Sequence, residues 1–186
     1  VMTTSATNGQ IRMSKAGSLT VYPDNSDIRW SNLTVNMNNL SEKLIVGEQN
    51  VAYSGRLVTE NVEWTNTGKL AVTMAANVDL TGQTLNCASL KVVGESYEVS
   101  DGKFEKQEVS IGTLKVTGNL ELNGVLTVHF LENVGGTLTA VSGSTMTLTE
   151  RGVINNLLVK GSGSELEATE NFELRMVSPA VSYTHL

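Results

Sequence analysis

Side chains equipped for chemistry are few in this chain, and they are scattered. There are two histidines (His129 and His185), one cysteine (Cys87) and four aspartates (Asp24, Asp27, Asp79 and Asp101). A catalytic triad needs a nucleophile, a base and an orienting acid brought together. One interior histidine among many serines and threonines does not supply that set. Carboxylates are the better candidates: Glu121, Glu150, Glu167 and Glu170, or Asp24 with Asp27. Two carboxylates about 5–9 Å apart hydrolyse a glycosidic bond, so acids at matching places on stacked units would make a glycoside hydrolase. A polysaccharide lyase would add Arg or Lys beside a calcium-binding acid cluster, and no such cluster is visible. The glycine-rich nonapeptide that binds calcium in β-rolls is absent too. These glutamates mostly alternate with apolar residues, as solvated faces do. The chain therefore reads as non-catalytic, with no cofactor. One His and one distant Cys do not form a metal ligand set. Cys87, inside the alternating run Thr84–Val93, reads as a small core residue, and alternation from Val128 points His129 outward or toward a turn.

Any site must be positioned by a repeat. Thr113–Gly118 (TLKVTG) resumes at Thr137–Gly143 (TLTAVSG) and again at Leu157–Gly163 (LLVKGSG). A second run follows each: Asn119–Gly124, Ser144–Glu150 and Ser164–Glu170. A third closes the cycle: Val125–Phe130, Arg151–Asn156 and Asn171–Met176. A period of two puts alternate side chains on one face, so these are strands. Three short strands per cycle of roughly 20–25 residues fit one coil of a parallel β-helix. Leu114, Val116, Leu120, Leu122, Leu126 and Val128 are expected inside, and Lys115, Thr117, Glu121 and Thr127 outside. The alignment also predicts an inward ladder of Leu122, Leu148 and Ala168, and a bulge or longer turn near Val134–Gly136.

The first half shows the same grammar less cleanly. Runs such as Ser18–Tyr22, Leu44–Val46, Val51–Tyr53, Leu70–Met74 and Ser89–Val93 are broken by Gly, Asn, Asp and Ser, which tolerate turns and positive φ. Trp30 and Trp64 sit on such runs and are assigned to the core or a coil edge. A β-sandwich also alternates strands and turns, but it gives no reason for three runs to recur in order. One segment departs from the repeat. In Ser96–Lys106 (SYEVSDGKFEK), Asp101-Gly102 between alternating residues signals a hairpin. A two-residue turn there would pair Val99 with Phe104, Glu98 with Glu105 and Tyr97 with Lys106. An inserted hairpin is a natural contact surface, so Tyr97, Phe104 and Lys106 are the candidate partner contacts.

Composition bounds the role. The 186 residues are 40% hydrophobic, 5% aromatic and 17% charged, with a net charge of −6. That is enough apolar material for a narrow stacked core. No basic cluster marks a nucleic-acid surface, and no apolar run approaches the length of a membrane-spanning helix. A single cysteine excludes an intrachain disulfide framework. The chain divides into an incomplete N-terminal edge (1–16), a solenoid (17–176, with 96–106 as the hairpin) and a tail (177–186). The last six residues, VSYTHL, resemble the translation of a sequencing adapter, which implies that 181–186 are non-native and that the chain is a fragment.

The repeats of Thr113–Met176, with the Thr/Ser/Asn/Gly/Leu/Val texture of Gly17–Met176, resemble the β-helical stalks of bacterial autotransporter passengers and filamentous-haemagglutinin-like adhesins. That resemblance implies an extracellular rod on the bacterial cell surface that presents loops to host cells, matrix or polysaccharide. Its neighbours would be adjoining coils of the same longer chain, with no direct membrane insertion by this segment. Two other roles compete. One is part of a carbohydrate-active β-helix enzyme whose site lies outside the fragment. The other is a bactofilin-like cytoskeletal polymer, which would need regular coils with few insertions.

Overall fold

The computed structural model describes residues 1–13, 17–37, 42–94, 96–141, 143–160, 162–168, 173–176 and 181–184, with backbone alone from 168 onward. Among them there is no helix. The longer strands form one sheet: β1 (Ala6–Arg12), β3 (Ile28–Asn36), β5 (Arg56–Thr65), β7 (Asn77–Cys87), β11 (Glu108–Val116), β13 (Val125–Asn133) and β15 (Thr145–Ile154), followed by β17 (Glu165–Ala168) and β18 (Glu173–Met176). The shorter strands form a second sheet: β2 (Ser18–Val21), β4 (Lys43–Gly47), β6 (Ala71–Ala75), β8 (Ser89–Val93), β12 (Leu120–Asn123), β14 (Leu138–Val141), β16 (Leu157–Lys160) and β19 (Val181–Thr184). Every pairing within these two sheets is parallel. Among the described residues only β9 (Ser96–Ser100) and β10 (Lys103–Lys106) pair antiparallel, as a separate hairpin. Parallel strands stacked in register are consistent with a β-solenoid.

Within each sheet, aligned strands set apolar side chains over one another in columns. In the shorter-strand sheet, Leu19, Leu44, Val72, Leu90, Leu120, Leu138 and Leu157 lie over one another in register. In the longer-strand sheet, Ile28, Leu57, Val78, Val109, Leu126 and Met146 do the same. Neighbouring strands are about 4.8 Å apart, so each side chain packs on its copy above and below, and each fully buried leucine contributes roughly 1.5–3 kcal/mol. The core is a column rather than a nucleus. All six residues expected inside (Leu114, Val116, Leu120, Leu122, Leu126 and Val128) are buried, and Lys115, Thr117, Glu121 and Thr127 are not.

The longer strands are really two runs joined at a corner. In β3, Ile28 and Trp30 point inward, Ser31 and Asn32 both turn away, and Leu33 and Val35 point inward again. Asn8, Asn32 and Asn61 occupy this corner with φ of 55°, 53° and 51°, a left-handed conformation that asparagine tolerates better than most residues. Their neighbours fix the alignment: Thr7 and Gly9 pair with Ser31 and Leu33, which pair in turn with Glu60 and Val62. The result is an asparagine column on the outer corner. At the next coil Gly82 takes the left-handed position (φ 75°), and the buried Gln83 side chain supplies an Oε1 that accepts the Val62 amide at 3.0 Å. The coil after that approaches so closely that a Cβ on Gly112 would lie 2.7 Å from the Gln83 carbonyl oxygen, so only glycine fits there.

The repeat differs from its expected phase. Leu122 lies over Ala140 in the shorter-strand sheet, whereas Leu148 lies over Val128 and aligns with Ala168 in the longer-strand sheet. The ladder Leu122–Leu148–Ala168 therefore does not form. Thr113–Val116 is the closing half of β11 and aligns with Phe130–Asn133, so it ends one coil instead of opening the next. Alternation looks the same on every face and carries no phase, so a slip of one run leaves the inside/outside assignment intact. In the observed phase Leu120 sits over Leu138 and Leu126 over Met146, and the connection through Val134–Gly136 is longer than those aligned with it on either side, as expected, with Gly136 at φ 64°. Coil length is uneven elsewhere. Val109 returns promptly to Leu126, whereas the path from Val78 to Val109 takes in the whole hairpin. Val51–Tyr53 is not a strand; Tyr53 is buried there with its ring stacked 6.2 Å from that of Tyr22.

Candidate functional site

The hairpin forms where expected but in a different register. Lys103 pairs with Ser100, then Phe104 with Glu98, Glu105 with Tyr97 and Lys106 with Ser96. Val99 is passed over as a bulge. The reason lies in the turn. A type I′ loop needs positive φ at both central residues, but only Gly102 has it (φ 72°), not Asp101. The slip removes the expected opposition of Glu98 and Glu105. Glu98 Oε1 instead accepts the Gly102 amide at 2.8 Å, and Glu105 pairs with Lys103 at 3.2 Å. Tyr97 and Phe104, expected on one face with Lys106, are separated by the bulge.

This hairpin folds back over the outer face of β5, β7 and β11. Two tethers hold it. Asn77 Nδ2 donates to the Tyr97 hydroxyl oxygen at 3.2 Å, and Lys106 Nζ donates to the Gly143 carbonyl at 3.1 Å. Asn77 is itself fixed, because its Oδ1 accepts the Glu108 amide at 2.7 Å. Between hairpin and sheet lies a groove of about 340 Å³. Arg56, Asp79, Glu108 and Ser110 line it from the sheet side, and Tyr97, Glu105 and Lys106 from the hairpin. Phe104 is not in its lining and is 64% exposed on the open side.

Arg56 also ties two coils together. Its backbone amide and Nη2 each reach an Asp27 carboxylate oxygen at 3.1 Å, and Arg29 reaches the same carboxylate at 3.1 Å. The Arg56 hydrogen bond holds the Asp27 carboxyl below its ordinary pKa against the opposing pull of burial, and Asp27 in turn raises the Arg56 guanidinium.

The acids singled out in the sequence are spread over different faces. Glu121 is on the shorter-strand sheet, 3.5 Å from Lys91. Glu167 is on β17, accepting from Thr147 at 3.3 Å, while Glu150 sits at the corner of β15. Asp24 lies outside any strand, and Asp27 belongs to the arginine cluster. Glu170 and His185 lie outside the described residues. The groove instead gathers Asp79, Glu105 and Glu108. Their signal was the hairpin itself, since an insertion that ends at β11 is set against the preceding coil, which carries Asp79.

His129 Nδ1 lies 2.5 Å from Thr149 Oγ1 on the neighbouring strand. Cys87 is buried, and burial pushes its thiol up to about 12. Trp30 is in the core, its ring 6.0 Å from that of the half-buried Trp64. Among the described residues no group of three His, Cys, Asp or Glu is placed to hold a metal ion, and no helix is long and apolar enough to cross a membrane. No protein-family model, no curated protein and no solved structure matches the chain.

Proposed function

We propose that this chain is a stretch of parallel β-helix from a non-catalytic rod of a secreted or cell-surface bacterial protein, structural along its shaft and adhesive where the hairpin stands out. The observation that carries this reading is the run of unbroken apolar columns, Leu19 to Leu157 on one sheet and Ile28 to Met146 on the other. Stability distributed along an axis lets a shaft be as long as its coil number. The lone cysteine is buried, so the surface offers no thiol to an oxidising exterior. The resemblance to autotransporter and haemagglutinin-like stalks points the same way. A regular cytoskeletal polymer is disfavoured by the hairpin and by the unequal coils on either side of β11.

The test has two parts. Small-angle scattering should give the cross-section and length of a rod, and beads coated with the protein should adhere to epithelial cells, matrix or immobilised polysaccharide. A compact scattering profile, or release of reducing ends from polysaccharide by the purified chain, would sink the proposal.

A further inference from the structure

We propose that the groove beneath the hairpin binds a neutral saccharide, so that the contact made by the rod is a sugar contact; this deepens the adhesive reading above and rests on it. The groove has the size of a small-molecule site, for which the usual range is about 300–1,000 Å³. Its walls come from separate elements. Asp79 pairs with Ser110, and the Glu108 amide is held by Asn77, so the two carboxylates are near neighbours on one outward face, and Glu105 faces them from the hairpin. Carboxylates accept pairs of hydroxyl protons, and such charge-assisted hydrogen bonds are the strong ones.

Donors are present on the same walls. The Tyr97 hydroxyl accepts from Asn77, so its own proton is directed elsewhere and is available to a ligand oxygen. Arg56 spends its backbone amide, Nε and Nη2 on Asp27, while its Nη1 has no partner among the described residues. Tyr97 adds the one aromatic ring, a surface against which the C–H face of a sugar packs.

Other ligand classes fit less well. An anion meets three carboxylates on a chain of net charge −6. A simple cation meets Arg56 and Lys106. An apolar ligand would strip water from all of them without replacing its hydrogen bonds. A polyhydroxylated neutral molecule satisfies acceptors and donors together.

The experiment is binding of the intact protein to immobilised neutral oligosaccharides (gluco-, galacto-, xylo- and N-acetylglucosamine oligomers), with oligouronates alongside. Calorimetry on whichever neutral oligomer binds then compares Asp79→Asn, Glu108→Gln, Tyr97→Phe and the distant Lys115→Ala, each checked for fold by circular dichroism. Loss of a charged hydrogen bond should weaken binding about tenfold or more in the first two, loss of the phenol about threefold to tenfold, and Lys115→Ala should change nothing. Binding confined to oligouronates, no binding to any neutral oligomer, or unchanged affinity in Asp79→Asn and Glu108→Gln overturns the proposal. If coated beads adhere while the neutral oligomers stay unbound, the groove proposal falls and the adhesive rod stands. If the neutral oligomers bind through the groove but the scattering profile is compact, the rod falls and the saccharide site stands.

Discussion

Asn61 Nδ2 donates to Asn32 Oδ1 across 2.8 Å, joining the left-handed corners of two successive coils. Both residues do two tasks at once. Each accepts a left-handed φ that other side chains resist, and each lends its amide to a hydrogen bond that runs along the stack. Asn66, just past the end of β5, repeats the contact by donating to Asn36 Oδ1 at 3.3 Å.

Asn61→Ala should therefore lose both contributions. A left-handed alanine costs roughly 1–2 kcal/mol, and the hydrogen bond is worth about 0.5–1.5 kcal/mol. Asn61→Gly keeps the conformation and loses only the bond, so it should be the milder of the two. Urea unfolding of the pair tests this, and an Ala variant as stable as the Gly variant would show that the corner conformation carries no strain.

The apolar columns predict a sharp contrast between neighbouring positions. Leu122→Asp or Val116→Asp places a charge without a partner between coils and should cost about 3–5 kcal/mol. Lys115, next to Val116 in sequence, points outward and pairs with Glu132 at 3.5 Å across an exposed surface. Lys115→Ala should cost no more than about 0.5 kcal/mol. Similar midpoint shifts for inward and outward changes would mean that the strand faces are misassigned.

Which face each residue takes was legible in the sequence because alternation along a strand is local. The phase of the coil was not. Thr113–Val116 and Leu138–Val141 both open on a leucine-bearing alternation, yet the first ends a longer strand and the second belongs to the shorter-strand sheet. Only the corner residues distinguish them, and the asparagines that mark the corner at Asn8, Asn32 and Asn61 give way to Gly82, then to Gly112, and then to His129-Phe130 and Glu150-Arg151. The hairpin was legible from Asp101-Gly102, but its register was not, because the choice between turn types rests on the φ of Asp101. The groove acids were hidden for a related reason. Asp79 and Glu108 are far apart in sequence and share a face only because the whole hairpin lies between them.

Cys87 lies in the column with Val116, Asn133 and Ile154. Burial favours the neutral thiol, so its pKa rises to about 12 and almost no thiolate exists at neutral pH. A disulfide reagent such as dithionitrobenzoate should leave the native protein unlabelled for as long as the stack stays closed, and should label one thiol per chain in denaturant. Rapid native labelling would place Cys87 at the surface instead.

Asp27 makes the stack sensitive to acid. Arg56 and Arg29 favour its ionised form, so its folded pKa lies below the unfolded value of about 3.9. A carboxyl shifted this way stabilises the fold fully above the unfolded pKa, and the stabilisation is lost as pH falls from there through the lower folded value. Asp27→Asn removes the charge at every pH. The variant should therefore be less stable than the parent at pH 7, and the gap should narrow below about pH 4, where the parent carboxylate takes up its proton. Melting temperatures of both proteins from pH 2 to pH 7 test this. A gap that stays constant across that range would mean that Asp27 acts through packing or neutral hydrogen bonds, with no contribution from its charge on Arg56.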